Sequence, residues 1–200
     1  LMQLGIPADY WRMYLASIRP EHGDSNFDRQ AFSNTINELA DKWGNLVARL
    51  LAMLKKCTFG VPPTNFDTEF TTKMDCTFQE YLINFDKVSI VQVVQCIFRF
   101  LSDINKYLYV KEPWKLKDQN QKSSICSYSL QLTFAGSLML SPIIPDLIDQ
   151  FCTQIGYKGP MNIVDTSLAD TMNQLQSVNI NNPKPLVEKN VVNTKLYTQK

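Results

Sequence analysis

The sequence predicts an all-α protein, an antiparallel helical bundle of short connections with an extended carboxy-terminal tail. Apolar residues recur at three- and four-residue spacing over several long segments, which lays a stripe down one side of a helix. Glycine, 7 in 200 residues, is scarce for an all-β or doubly wound chain. Prolines stand where the periodic segments run out, at Pro20, Pro62, Pro113 and Pro142, and so punctuate a bundle.

Residues 8–18 read as a first short helix, with Tyr10, Trp11, Tyr14, Leu15 and Ile18 as its apolar surface and Pro7 suited to its first turn. A polar loop through His22 follows, and Asp24 or Ser25 can cap the next helix. That helix, residues 27–56, organises the chain. Phe32, Ile36, Leu39, Trp43, Leu46, Leu50 and Met53 form one continuous stripe. Asn34, Glu38, Asp41, Asn45, Arg49 and Lys56 fall on the opposite side. Gly60 with Pro62 and Pro63 stops it. A second long helix is expected over residues 68–85, burying Phe70, Met74, Phe78, Tyr81, Leu82 and Phe85. A third, residues 89–108, buries Ile90, Val94, Ile97, Leu101, Ile104 and Leu108 and turns Gln92, Gln95, Arg99, Asp103 and Lys106 outward. Helices over residues 124–140 and 145–155 complete the bundle. Beyond Gly156 the pattern fades, and the stretch containing Pro183 and Pro185 reads as extended, with a loosely held tail to Lys200.

Composition excludes several functions. Hydrophobic content of 44% with 20% charge describes a soluble globular chain of one domain, and a net charge of +1 does not advertise a broad polynucleotide surface. The single histidine, His22, cannot support a histidine-rich metal site and reads as a solvated loop residue. Five widely spaced cysteines without a CxxC read as small core residues in a reducing cytosol, not as zinc ligands or disulfides. No glycine-rich phosphate loop exists, because Gly44, Gly60 and Gly136 stand alone. The most apolar run, residues 127–144, is broken by Gln131 and Pro142 and is short of the roughly 20 residues that cross a bilayer. The chain opens at Leu1 in mid-pattern, like a piece of something larger.

Two features carry candidate chemistry. Asn45 and Arg49 lie four apart on the polar face, where an amide and a guanidinium can hydrogen-bond a base edge, or can be ordinary solvated residues. Trp114, held by Pro113 at a helix junction, is either a core plug or a rigid aromatic platform, and spacing alone favours the plug.

Four blocks of sequence resemble one family. Residues 5–12 with Arg19-Pro20-Glu21 and Asp24-Ser25 are similar to the segment downstream of the KMSKS loop in the methionyl-tRNA synthetases. Asn37-Glu38-Leu39 and Gly44-Asn45-Leu46-Val47-x-Arg49 resemble the start of that family's anticodon-binding domain. Asn105-Lys106-Tyr107 with Glu112-Pro113-Trp114 resembles its Asn-x-Tyr and Pro-Trp signature, and residues 183–189 its extended returning segment.

The resemblance implies the carboxy-terminal part of a class I synthetase, a helical bundle that reads the CAU anticodon of methionine tRNAs. It places nucleic-acid contacts on Asn45, Arg49, Pro113 and Trp114, with the first anticodon base stacked on Trp114. Some members carry a further asparagine where this chain has Asp41, which lacks an amide donor. Three parts are implied: residues 1–25 lead in from a catalytic domain, 26–176 form the anticodon-binding domain, and 177–200 return as an extended segment. The expected partners are the anticodon loop of methionine tRNA and the catalytic domain of the same chain, in the cytoplasm and without a membrane. ATP with magnesium would serve the full-length enzyme. The segment itself is expected to have no catalytic residue, no cofactor, no metal and no activity alone. Rival readings are a helical protein-interaction module, or the anticodon domain of a related class I synthetase.

Overall fold

Four helices in this protein begin on short acidic or hydroxyl side chains that accept an otherwise orphaned backbone N–H. Asp28 accepts from Ala31, Asp67 from Phe70, Asp118 from Asn120 and Ser167 from Asp170. The computed structural model describes residues 5–20, 26–57, 59, 66–161, 163, 167–180 and 183–189. Among these there are helices and connections and no strand. In order they are α1 (Ala8–Ser17), α2 (Arg29–Leu39), a π-helical turn (Ala40–Gly44), α3 (Asn45–Leu54), α4 (Thr68–Asp86), α5 (Ile90–Lys111), a 3-10 turn (Pro113–Lys115), α6 (Gln119–Leu140), α7 (Pro145–Ile155) and α8 (Leu168–Asn173).

The organising helix is present but built in three stretches. It starts at Arg29 on the cap Asp28 and ends at Leu54. Asp24 and Ser25, Gly60, Pro62 and Pro63, His22 and the tail to Lys200 lie outside the described residues. Within it, the N–H of Asn45 reaches back to the carbonyl of Ala40, a turn one residue wider than the α-helix. The stripe survives this turn: Phe32, Ile36, Leu39, Trp43, Leu46 and Leu50 are buried, Met53 partly. All six residues of the polar side are exposed.

α6 is the axis of the bundle. From Ile125 to Leu140 every residue is buried, so it shows no apolar side at all. Two of its hydroxyls are satisfied within the helix: Thr133 Oγ1 donates to the Ser129 carbonyl and Ser137 Oγ to that of Thr133, each at 2.7 Å. Ser137 Oγ also accepts the indole N–H of Trp43 at 2.8 Å, which ties the organising helix to the axis. At Gly136, a Cβ would stand 3.0 Å from Leu101 Cδ2, so glycine lets α5 and α6 approach this closely.

The amino-terminal and carboxy-terminal segments are tied to the same side. Asp9, buried on α1, accepts the Leu147 N–H at 2.8 Å at the start of α7 and pairs with Arg12 at 2.6 Å. The returning segment inserts Leu186 and Val187 into the core, and the N–H of Glu188 donates to Tyr10 Oη at 3.1 Å. Val187 sits so near Gly44 that a Cβ there would lie 3.3 Å from its own.

Several expectations need correction. Leu15 and Phe85 are exposed, because α1 and the end of α4 pack on one side only. Asp103, expected outside, is buried, since α5 packs against both α4 and α6 and leaves little outer face. Its charge is met by Lys73 at 2.9 Å and Lys106 at 3.4 Å. Of the cysteines, Cys96, Cys126 and Cys152 are buried, Cys57 partly, and Cys76 is exposed. Burial pushes the Cys126 and Cys152 thiols up to about 11, which keeps them protonated and poor nucleophiles. α8 lies beyond the point where the pattern fades, for six residues are too few to show a helical period. No helix among the described residues is long and apolar enough to cross a membrane.

Candidate nucleic-acid interface

The wide turn at residues 40–44 shapes the polar face. Lys42's carbonyl accepts from Asn105 Nδ2 at 2.9 Å, and the same amide donates to Leu101's carbonyl at 2.9 Å. This grip fixes the Asn105 side chain, whose oxygen then accepts a hydrogen bond from Arg49 Nη2. Arg49 is thereby held by α5 while its head stays in solvent. Among the described residues, one of its five N–H donors is engaged. Asn45, one turn earlier, gives an amide hydrogen to Asp41 Oδ1 at 3.0 Å. Asp41 also pairs with Lys189 of the returning segment. That carboxylate is therefore an anchor for its neighbours.

At the far end of α5 the chain turns a corner. A residue before proline is disfavoured in the α conformation, and Glu112 leaves the helix at φ 42°, in the left-handed region. Pro113 is buried in the following turn and Trp114 is turned outward, 45% exposed. The plug that spacing favours is thus supplied by the proline and not by the indole. Two contacts fasten the corner. Lys111 Nζ lies 3.1 Å from Asp67 Oδ2 and 5.2 Å above the Tyr107 ring, which itself stacks on Phe70 at 4.4 Å. Burial alone would raise the Asp67 carboxyl, but hydrogen bonds from Lys111 and the Phe70 N–H, with the Lys111 charge, outweigh it and hold it below the ordinary value.

Asn45 and Arg49 therefore share one exposed face with Asn105. Trp114 is joined to them by no hydrogen bond or ring contact among the described residues. It stands farther along, at the end toward which both helices run. The end of α3 reaches the start of α6, where Cys57 Sγ lies 3.7 Å from Gln119 Oε1, five residues past Trp114. Sequence reasoning gave no role to Asn105. Its only sign was its place in the Asn-x-Tyr signature. Among the described residues no group of three His, Cys, Asp or Glu side chains gathers as a metal site.

Residues 1–51 match the family model described as tRNA synthetases class I (M). The methionine–tRNA ligase of Pyrobaculum arsenaticum is 31% identical over 167 residues, covering 78% of this chain and 29% of that protein. That of Thermoplasma acidophilum is 32% identical over 157 residues, 76% of this chain and 28% of the relative. The fold matches a solved structure of Mycobacterium tuberculosis methionyl-tRNA synthetase in complex with methionyl-adenylate, with a TM-score of 0.75 and 20% identity, over 93% of this chain and 38% of that one. Sequence and fold define a relative of the class I tRNA synthetases. Within that class, the chain belongs to the methionyl-tRNA synthetase family. It spans less than a third of the length of the two relatives named.

Proposed function

We propose that this chain is the anticodon-binding region of a methionine–tRNA ligase, and that residues 26–176 read the CAU anticodon while 177–200 return toward a catalytic domain of the same protein. The observation that carries the reading is Arg49, an exposed guanidinium held in place by Asn105, on the side of the bundle that leads to the outward-facing Trp114. Unpaired loops are recognised by stacking on aromatics and by hydrogen bonds to open base edges. Arg49 and Asn45 supply the edge contacts, Trp114 the stack, and buried Pro113 the orientation of its ring. Three bases need a small site, which accommodates the near-neutral charge of the chain. ATP with magnesium is assigned to the rest of the enzyme. At the amino-termini of α2, α4 and α6, the capping carboxylates of Asp28, Asp67 and Asp118 would repel a phosphate. The enzyme acts in the cytoplasm, and this region alone does not activate methionine.

The test is Trp114→Ala and Arg49→Ala in the full-length enzyme. A stacked base and a good base contact are each worth roughly 1–3 kcal/mol, so binding of methionine tRNA weakens about ten- to a hundred-fold. Methionine-dependent pyrophosphate exchange is unchanged. Equal loss toward tRNA with an altered anticodon, or no loss toward either, overturns the reading in favour of a protein-docking face.

A further inference from the structure

Tyr109 lies one helical turn beyond Asn105 on the same side of α5, because residues four apart stack along a helix. Asn105 is the residue that grips Arg49. Four residues advance the helix by about 6 Å, so the Tyr109 ring stands between the Arg49 head and the corner that carries Trp114. It is 74% exposed, more open than Trp114 at 45%, and has no hydrogen bond or ring partner among the described residues. A tyrosine ring covers a large apolar area when packed, so one left this open contributes almost nothing to the fold. Lys106, one turn back, is 76% exposed and Lys115 in the adjoining corner 66%, so their heads remain close to solvent although each meets a carboxylate, Asp103 for the first and Glu112 for the second.

An open aromatic face among ammonium groups matches an unpaired nucleotide, whose base stacks and whose phosphate is attracted. We propose that Tyr109 is a second stacking surface for the same RNA loop, taking a nucleotide next to the base assigned to Trp114. This rests on the anticodon-binding reading and adds a residue to it. Stacking uses the ring face and not the hydroxyl, so it tolerates any base.

The experiment measures binding of methionine tRNA anticodon stem-loops to the full-length protein and to its Tyr109→Ala, Tyr109→Phe, Tyr109→Leu and Trp114→Ala variants. Tyr109→Ala and Tyr109→Leu bind roughly five- to fifty-fold more weakly, with unchanged melting temperature, while Tyr109→Phe binds like the parent. With stem-loops made abasic at each loop position in turn, one position abolishes the Tyr109→Ala effect, and it differs from the position that abolishes the Trp114→Ala effect. If Tyr109→Ala binds normally while Trp114→Ala is weak, Tyr109 has no stacking role and the anticodon reading stands. If Tyr109→Phe is as weak as Tyr109→Ala, the hydroxyl is responsible and the stacking role is overturned. If neither Trp114→Ala nor Arg49→Ala weakens binding, both proposals fall together.

Discussion

Trp43 and Trp114 carry the same indole into opposite environments, and the contrast separates the inner seam of the bundle from its outer end. Trp43 is fully buried on the organising helix, its ring edge-on to Phe151 and its N–H given to a serine of the central helix. Trp114 follows a buried proline and a left-handed glutamate and keeps nearly half of its surface in solvent. Both residues are large, apolar and next to a helix irregularity. The difference lies in their connections. Trp43 sits in mid-helix, where the apolar stripe presents it to α6. Trp114 sits where the helix has ended, and the backbone turn spends the inward position on Pro113. A large aromatic that the chain declines to bury, held rigidly, is available to a ligand at little ordering cost.

The contrast can be broken first at the seam. Trp43→Ala is expected to cost about 3–5 kcal/mol, from a cavity plus a buried Ser137 hydroxyl left without its donor. Leu46→Ala, on the same stripe, costs about 2–5 kcal/mol. Trp114→Ala should cost no more than about 1 kcal/mol, in keeping with a half-exposed ring. Urea denaturation of the three variants decides it, and a similar loss for Trp43→Ala and Trp114→Ala would erase the distinction.

A smaller effect sharpens the joint between the two regions. Gly44→Val places branched carbon against Val187 and should displace the returning segment at a cost of about 1–3 kcal/mol. Proteolysis near residue 187 faster than in the parent protein is the measurement, and unchanged susceptibility would show that the contact yields easily.

Acid tests the corner. The Asp67 carboxyl is held below its unfolded value of about 3.9, so its contribution is fully present above that pH and is lost as pH falls through the lower folded value. Asp67→Asn keeps a capping side chain but removes the charge that meets Lys111. Its stability should therefore vary less than the parent's below about pH 4. Parallel acid-unfolding curves for the two proteins would refute the assignment. The smallest effect belongs to the outer face, where Asn45→Ala and Arg49→Ala should each change stability by about 0.5 kcal/mol or less. A loss above 1 kcal/mol in thermal unfolding would make Arg49 a structural strut between α3 and α5.

Much of this molecule was determined by local pattern alone. The stripe from Phe32 to Leu50, the boundaries of Pro145–Ile155 and the exposure of Asn45 and Arg49 all follow from a period of 3.6 residues, which depends only on neighbours in the chain. The family was also legible, in blocks of sequence that keep their order. Other features needed the third dimension. α6 is buried all round, so no polar side marks its orientation. The capping residue Asp28 and the short helix α8 lie below the resolution of a periodic reading. The outward turn of Trp114, the burial of Asp103 and the grip of Asn105 on Arg49 depend on which helices meet. Asn105 and Arg49 are 56 residues apart, and contacts at that separation leave no local trace in composition or spacing. Periodicity says which side of a helix is apolar. Only packing decides which residue at a corner is covered, because a cover comes from elsewhere in the chain.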